Sequence, residues 1–526
     1  MAEAKRRLPI GIQSFQKLRE EQFLYVDKTR YIHQLAEDSV QYFLSRPRRF
    51  GKSLLLSALR AYWEGKKKLF SELEIERLEA DKQDAWQPHP VFYFDFNGAN
   101  YRQENALEHV LSSHLSRWEE AYRVHGSSRM LEERFQNLLI AAHKQTGLRC
   151  VILVDEYDKP LLDLLDMSEL QEHNKAVFKG FFSNLKSCDE HIRFVFITGV
   201  TKFHKVSIFS DLNQLRDISL NEEYAGICGI TDSELRESFI PEVAAMAEKC
   251  QIGVDECLLK LKSQYDGYRF HPNGVDVYNP FSLINALCDK EFGSNWFETG
   301  TPTFLVRRLK EIGFDPRRFT DKTIYANERV LKDYTGDSLD IIPLLYQTGY
   351  LTIDGYDPGR KRYTLAFPNE EVKYAFLESL LPEYVPRSTA GNGLDIFTLE
   401  DKVEGGDLEG IRNILTALFA SIPYTSADAV FEHYFQTVIY LVFTLLGRYA
   451  LCEMHTFTGR IDCKVETDKF IYLFEFKRDE SADAALKQID DKSYTLPFIA
   501  DSRKLFKIGV SFDSERRILA DWKVQE

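Results

Sequence analysis

Along this chain the apolar positions fall into short unbroken runs closed by polar residues. Val151-Ile152-Leu153-Val154 is such a run, ending in Asp155-Glu156. Without alternation it predicts a strand buried on both faces of a parallel sheet. Phe43-Leu44 reads as the end of a second strand that enters the polar stretch Ser45–Gly51. Leu54–Trp63 (LLLSALRAYW) holds no Gly or Pro and predicts a helix. Arg193–Gly199 (RFVFITG) predicts a third strand with small polar residues at its end. Further on, Thr231–Leu235 reads as a helix start capped by Asp232 or Ser233. Trp296–Pro302 reads as a turn into the next helix, and Tyr265–Phe270 is a compact aromatic stretch. Pro382–Gly393 (PEYVPRSTAGNG) has linker composition. Beyond it, Ala427–Leu446 predicts a long helix, and Gly459–Val465 and Phe470–Lys477 predict a hairpin around the polar turn Glu466–Lys469. Ala484–Ile489 predicts another helix.

Length sets the number of cores. At 526 residues the chain exceeds one core, and two to three domains are expected. Hydrophobic residues at 44% argue against large disordered tracts. No apolar run approaches the length that spans a bilayer, and MAEAKRRLPI lacks a signal-peptide apolar region, so a cytoplasmic protein with no membrane partner is expected. Eight cysteines without a C-x-x-C pair indicate neither a zinc site nor a disulfide framework, and Cys288 is expected to fill a core.

Candidate chemistry begins at Gly51-Lys52-Ser53. Glycine lets backbone N–H groups approach phosphates, lysine supplies a point charge, and serine offers a hydroxyl to Mg²⁺. A strict G-x-x-x-x-G-K-[ST] loop would put glycine where Arg46 stands. Arg46, Arg48 and Arg49 are expected to crowd positive charge around the loop. Asp155 is the candidate magnesium partner and Glu156 the candidate for polarising the attacking water. Asp158 is either their understudy or a helix cap. Thr198, Thr201 and Lys202 stand where a strand tip could sense a γ-phosphate, and Arg269 is either a phosphate sensor or a surface arginine. The plainer reading is a Gly-Lys-Ser that merely opens a helix, and the acidic strand argues against it.

A second constellation lies near the C-terminus. Glu475 and Lys477, two apart on a strand, share one face, and hairpin pairing brings Asp462 across from them. Two carboxylates and a lysine in an apolar hairpin are costly unless they pair or bind a metal. A salt-bridge network without metal is the competing reading.

Residues 8–300 resemble the AAA-ATPase-like family of bacterial and archaeal proteins. The resemblance is carried by YVDKT (Tyr25–Thr29), F-L-x-R-P-R-R-F-G-K-S (Phe43–Ser53) and D-E-Y-D (Asp155–Asp158). Further matches are T-G-V-x-K-F (Thr198–Phe203), S-I-F-S-x-L-N (Ser207–Asn213), Y-D-G-Y-x-F (Tyr265–Phe270) and V-Y-N-P (Val277–Pro280). The missing first glycine is a feature of that family. The resemblance implies ATP held by Arg46, Pro47, Arg48, Arg49, Phe50, Gly51, Lys52, Ser53 and Leu54 with Asp155 and Thr198, and Mg²⁺ by Ser53 and Asp155. The D…(x)₁₂…E-x-K spacing resembles the PD-(D/E)XK nuclease superfamily, which implies Mg²⁺ or Mn²⁺ on Asp462 and Glu475, with Lys477 positioning water. Glu432 matches the acid on the first helix of such nucleases, and Gln488 and Tyr494 match residues near the substrate phosphate.

The expected architecture is therefore α/β. A P-loop NTPase parallel sheet occupies 8–220, a helical lid or winged-helix-like region 221–385, a linker 386–396, and an α/β PD-(D/E)XK nuclease-like domain 397–526. The expected function is ATP binding and hydrolysis coupled to Mg²⁺-dependent cleavage of nucleic acid, DNA ahead of RNA. Charge complicates this: the chain carries −14, and residues 391–526 hold 16 Lys/Arg against 23 Asp/Glu. Proteins that wrap duplex DNA are usually basic. The deficit leaves room for a protein partner or homo-oligomer, and for two alternatives: a signalling or scaffold ATPase whose nuclease-like domain only binds, or an ATPase that acts on nucleic acid without cutting it.

Overall fold

A computed structural model describes residues 6–38, 41–124, 128, 130–203, 215–296, 303–312, 314–320, 322–332, 341–384, 396–420, 438–446, 450–456, 459–513, 515–516 and 518–526. The chain divides into two compact units. One comprises Met1–Trp296 with Lys322–Val372, the other Phe297–Asp321 with Lys373–Glu526.

The first unit is built on a five-stranded sheet of β1 (Gln41–Ser45), β2 (Val91–Asp95), β3 (Cys150–Asp155), β4 (Ile192–Gly199) and β5 (Leu215–Asp217). Their order is β2-β3-β4-β1-β5, and every pairing is parallel. Burial explains the sequence pattern. All six residues of β3 are buried, whereas β2, at the edge, alternates. Phe94 of β2 meets Trp118 and Phe135 edge-on, and Phe135 stacks on Phe181 at 4.7 Å, so helices Ala106–Ala121, Leu131–Thr146 and Ser168–Ser187 close one face. The register sets Asp95 beside Asp155 and Ser45 beside Gly199, so the strand ends that carry polar residues share one sheet edge.

The residues after 220 share a core with the N-terminus. Leu235, Phe239, Val243, Met246, Leu261 and Leu283 form a buried cluster on which Leu8, Leu24 and Val26 pack. The helix Asp232–Ser238 starts at Thr231, not at either predicted cap. Thr231 accepts from the Glu234 N–H while Glu234 accepts from the Thr231 N–H, a reciprocal box that neither Asp232 nor Ser233 can make. The short strands β6 (Ile230–Thr231) and β7 (Val277–Tyr278) pair beside it. Cys288, expected in a core, is exposed, because Leu283, Ile284, Ala286 and Leu287 take the buried positions of helix Pro280–Asp289.

Residues 322–372 add an antiparallel sheet of β8 (Ile324–Ala326), β9 (Thr352–Asp357) and β10 (Arg362–Ala366) in the order β8-β10-β9. It is anchored to the strand ends of the main sheet. Gln347 accepts from the Lys202 N–H at 3.0 Å. Gly349 has φ +91, and a Cβ there would lie 2.7 Å from the Pro47 side chain, so only glycine allows this approach.

The second unit carries a sheet of β11 (Ala450–Thr456), β12 (Gly459–Glu466), β13 (Phe470–Arg478), β14 (Lys504–Asp513) and β15 (Ile518–Gln525), in that order. Only β13 and β14 run parallel, and helix Ala482–Asp491, capped by Ser481, makes the crossover between them. Ile461, Ile471, Leu473, Leu486 and Ile489 form the core between sheet and helix. Tyr494 is buried in that core too, so it packs there and is not presented to a substrate phosphate. The helix Glu370–Tyr384 runs through Pro382, two residues past the predicted start of the linker. Of the helix expected over Ala427–Leu446, residues 438–445 are helical, and Glu432 lies outside the described residues. So do Ser207–Asn213 and most of the predicted linker. Among the described residues no helix is long and apolar enough to cross a membrane.

Candidate functional site

β1 delivers the chain into the loop Arg46–Gly51, and helix Lys52–Trp63 leaves it. Gly51 caps that helix at φ +89, a left-handed turn that keeps the first-turn N–H groups clear of side chains. Lys52 is buried, and its ammonium donates to the carbonyls of Arg46 and Pro47, both at 3.0 Å. The loop thus closes around its own lysine. Ser53 and Leu54 are half-buried in the first turn. Phe50 is buried edge-on against Tyr268 at 4.7 Å and Phe270 at 5.6 Å.

The arginines divide differently from expectation. Arg46 is 1% exposed, and its guanidinium donates to the carbonyls of Ser45, Ser219 and Tyr224 while lying 3.9 Å over the Phe270 ring. At the position where a strict loop has glycine, this side chain braces the loop from within. Arg49 stacks 3.6 Å over Phe281 and donates to the Asn295 carbonyl. Of the three, only Arg48 is exposed.

Asp155, at the end of β3, is 1% exposed. It accepts the Thr198 hydroxyl at 2.9 Å on one oxygen and the Tyr93 hydroxyl at 3.2 Å on the other. Thr198 therefore orients Asp155. Tyr93 escaped the sequence reading, and its signal is the β2 alternation that puts Val91, Tyr93 and Asp95 on the half-buried face. Glu156 follows at φ +50, half-buried. Burial pushes its carboxyl above the usual range, and Lys52 pulls it down. Asp158 is neither understudy nor side-chain cap. It is buried and accepts the N–H groups of Val200 and Thr201 and the Thr201 hydroxyl, so it ties the β3 and β4 ends together. Lys202 pairs with Asp217 at 2.7 Å, and Arg269 pairs with Asp276 through two bonds. Thr201, Lys202 and Arg269 are each committed to these partners. Beside Gly51 opens a largely apolar cleft lined by Tyr25, Val26, Lys28, Leu54, Ile227 and Ile284.

In the second unit the hairpin register runs from Glu466↔Ile471 to Cys463↔Phe474, which leaves Asp462 and Glu475 as the next residues at its open end. Asp462 accepts the Phe476 N–H at 2.8 Å. Glu475 is 1% exposed. One of its oxygens accepts from Lys477 at 3.4 Å and from the Gln488 amide, and the other, Oε2, has no hydrogen-bond partner among the described residues. Lys477 also donates to the Gln488 carbonyl oxygen at 2.5 Å. Burial, and then the Asp462 charge, push the Glu475 carboxyl up to about 7 against the pull of Lys477. A buried carboxylate oxygen without a donor, beside a second carboxylate, suits a divalent cation with a taste for oxygen ligands. Among the described residues no cluster of three or more His, Cys, Asp and Glu side chains forms a metal cage, so these two acids make only a partial ligand set.

Protons and metal compete for Glu475, so Mn²⁺ affinity is expected to rise with pH through about 7 and level off above it. The slope below that value should approach roughly tenfold per pH unit. Titration calorimetry of the full chain at pH 6 and pH 8 checks this, and Glu475→Gln should remove the pH dependence with the site.

Comparison with known proteins finds a family match over each of the two regions. Residues 9–209 match the family described as Predicted AAA-ATPase, and residues 430–522 match the PD-(D/E)XK nuclease superfamily. Over 533 aligned positions covering 99% of each chain, the protein is 37% identical to "Uncharacterized protein in vnfD 5'region" of Azotobacter chroococcum mcd 1. The chain belongs to the AAA-ATPase-like family, in a form that ends in a PD-(D/E)XK nuclease superfamily domain.

Proposed function

We propose that this protein binds and hydrolyses ATP and that its C-terminal domain cuts nucleic-acid phosphodiester bonds with Mg²⁺ or Mn²⁺. The observation that carries the nuclease half is the buried Oε2 of Glu475, which has no donor among the described residues, beside Lys477. The cation would bind Asp462 and Glu475 and supply Lewis-acid polarisation of the phosphate. Lys477, held by Gln488 and Glu475, is aligned to hold a water or steady the negative charge of the phosphate. Glu432 is the proposed third acid.

The ATPase half rests on the loop. Lys52 would exchange the Arg46 and Pro47 carbonyls for β- and γ-phosphate oxygens, Ser53 and Asp155 would hold the Mg²⁺ that neutralises phosphate charge, and Glu156 would accept a proton from the attacking water. Its raised pKa suits that role. The apolar cleft beside Gly51 is proposed to receive the base. A scaffold reading, in which the C-terminal domain binds without cutting, draws support from the net charge of −14.

The deciding experiment incubates the full chain with single- and double-stranded DNA and RNA, with Mg²⁺ or Mn²⁺, with and without ATP. Metal-dependent cleavage is expected, on DNA before RNA. No cleavage of any substrate under any of these conditions transfers the weight to the scaffold reading.

A further inference from the structure

The edge strand β2 turns Phe92 and Phe94 into the core, while Val91, Tyr93 and Asp95 are half-buried. The latter three border a cleft of about 610 Å³, completed by Arg60 of the Lys52–Trp63 helix and by His109 and Arg117 of helix Ala106–Ala121. His109, Ser113 and Arg117 recur every four residues, so one helix face presents them together. The size falls within the range of small-ligand sites. The lining of the cleft brings arginines together in a chain of −14, one of them, Arg60, ion-paired with Glu64 at 2.7 Å. Two guanidiniums face one carboxylate, Asp95. Arg60 gives its Nε–H to Glu64, and among the described residues the Arg117 guanidinium reaches His114, at 3.5 Å.

Two connections run from this cleft to the phosphate site. The Tyr93 hydroxyl donates to Asp155 at 3.2 Å. The Arg60 guanidinium lies 5.7 Å over the Tyr93 ring and rides on the helix whose first residues are Lys52 and Ser53. A ligand that draws Arg60 thus acts on the helix that bears the phosphate lysine and on the group that orients Asp155.

We propose that this cleft binds the phosphate backbone of single-stranded nucleic acid and that Tyr93 relays its occupancy to Asp155, making the strand an activator of ATP turnover. Guanidiniums grip phosphates through paired N–H bonds, and an unstacked strand offers bases to the exposed His109 and the Tyr93 edge. A cleft of this volume admits one or two nucleotides. Activation rests on the ATPase reading above, and Tyr93 is a positioning residue in it.

The test uses the full chain carrying Glu475→Gln, so that the oligonucleotide survives. ATP turnover is measured against increasing oligothymidylate, with polyglutamate at equal charge as the comparison. In parallel, oligonucleotide containing 4-thiothymidine is photo-crosslinked and the attachment sites mapped. A several-fold rise in turnover that polyglutamate does not give and Arg117→Glu removes is expected, with crosslinks at the Arg60 turn or between residues 91 and 118. In a further Tyr93→Phe variant those crosslinks should persist while the stimulation falls. Equal stimulation by polyglutamate, stimulation that survives Arg117→Glu, or crosslinks that touch neither the Arg60 turn nor residues 91–118 would overturn the proposal. If turnover is undetectable with and without the strand, activation is lost with the ATPase reading, and the crosslinks alone decide the binding half.

Discussion

Glu475→Ala is expected to reduce metal-dependent strand cleavage on the order of a thousandfold while ATP turnover persists. A bound cation supplies several kcal/mol of charge stabilisation, and about 1.4 kcal/mol corresponds to one decade in rate. Removing one of two described carboxylates from a partial ligand set should forfeit most of that. The fold is expected to survive, because Glu475 costs the metal-free protein stability. Its folded pKa, about 7, lies above the usual carboxylate range, so its ionised form is disfavoured in the native state. That unfavourable contribution grows as pH rises through the carboxylate range and is complete above about 7. Glu475→Gln should therefore raise the melting temperature of metal-free protein at pH 8 and change it little near pH 4. Cleavage that persists in the alanine variant would remove Glu475 from the catalytic site. A melting temperature lowered at pH 8 would mean that the unpartnered oxygen is satisfied in solution.

The second large effect is expected at Lys52. Lys52→Ala should weaken ATP binding by on the order of a hundredfold or more, since two hydrogen bonds to a charged group are each worth about 1.5–3 kcal/mol. Lys52→Arg should restore little, because a planar fork cannot replace a compact ammonium inside a closed loop. Lys52 also satisfies the Arg46 and Pro47 carbonyls, so either variant is expected to lower the unliganded melting temperature as well. The discriminating measurement is the further rise in melting temperature on adding Mg²⁺ and ATP. Wild type should show it and both variants should not. An unchanged ATP-induced rise in Lys52→Ala would place the nucleotide elsewhere.

Much of the fold was legible because periodicity records burial. The unbroken run at Val151–Val154 reports a strand covered on both faces, and the apolar hairpin at Gly459–Lys477 survives as β12 and β13. Partnerships across long sequence distances were not legible. An arginine beside Gly-Lys-Ser reads as phosphate-facing, yet Arg46 is held by Ser219 and Tyr224, more than 170 residues away. Asp158 and Lys202 looked available until Thr201 and Asp217 claimed them. Tyr93 gave no signal beyond an alternating edge strand, because its importance depends on register with β3. The nuclease-like acids were easier to read, since Glu475 and Lys477 are neighbours on one strand and Asp462 belongs to the same hairpin.

The contact of Gly349 with Pro47 has a consequence for how the protein is made. Its two ends lie about three hundred residues apart, and in between the chain leaves the first compact unit at Phe297 and re-enters it at Lys322. On a ribosome adding about 5–20 residues per second, roughly 15–60 s separate the synthesis of the phosphate loop from that of the glycine that packs on it. Through that interval Pro47 lacks its native neighbour, and the Lys202 N–H, 145 residues before Gln347, lacks its own for about the second half of it. The surroundings of the Lys52 loop are thus a late product of synthesis, although the loop is among the first parts translated. A nascent chain stalled before residue 349 should present an unfinished phosphate loop to the chaperones around it.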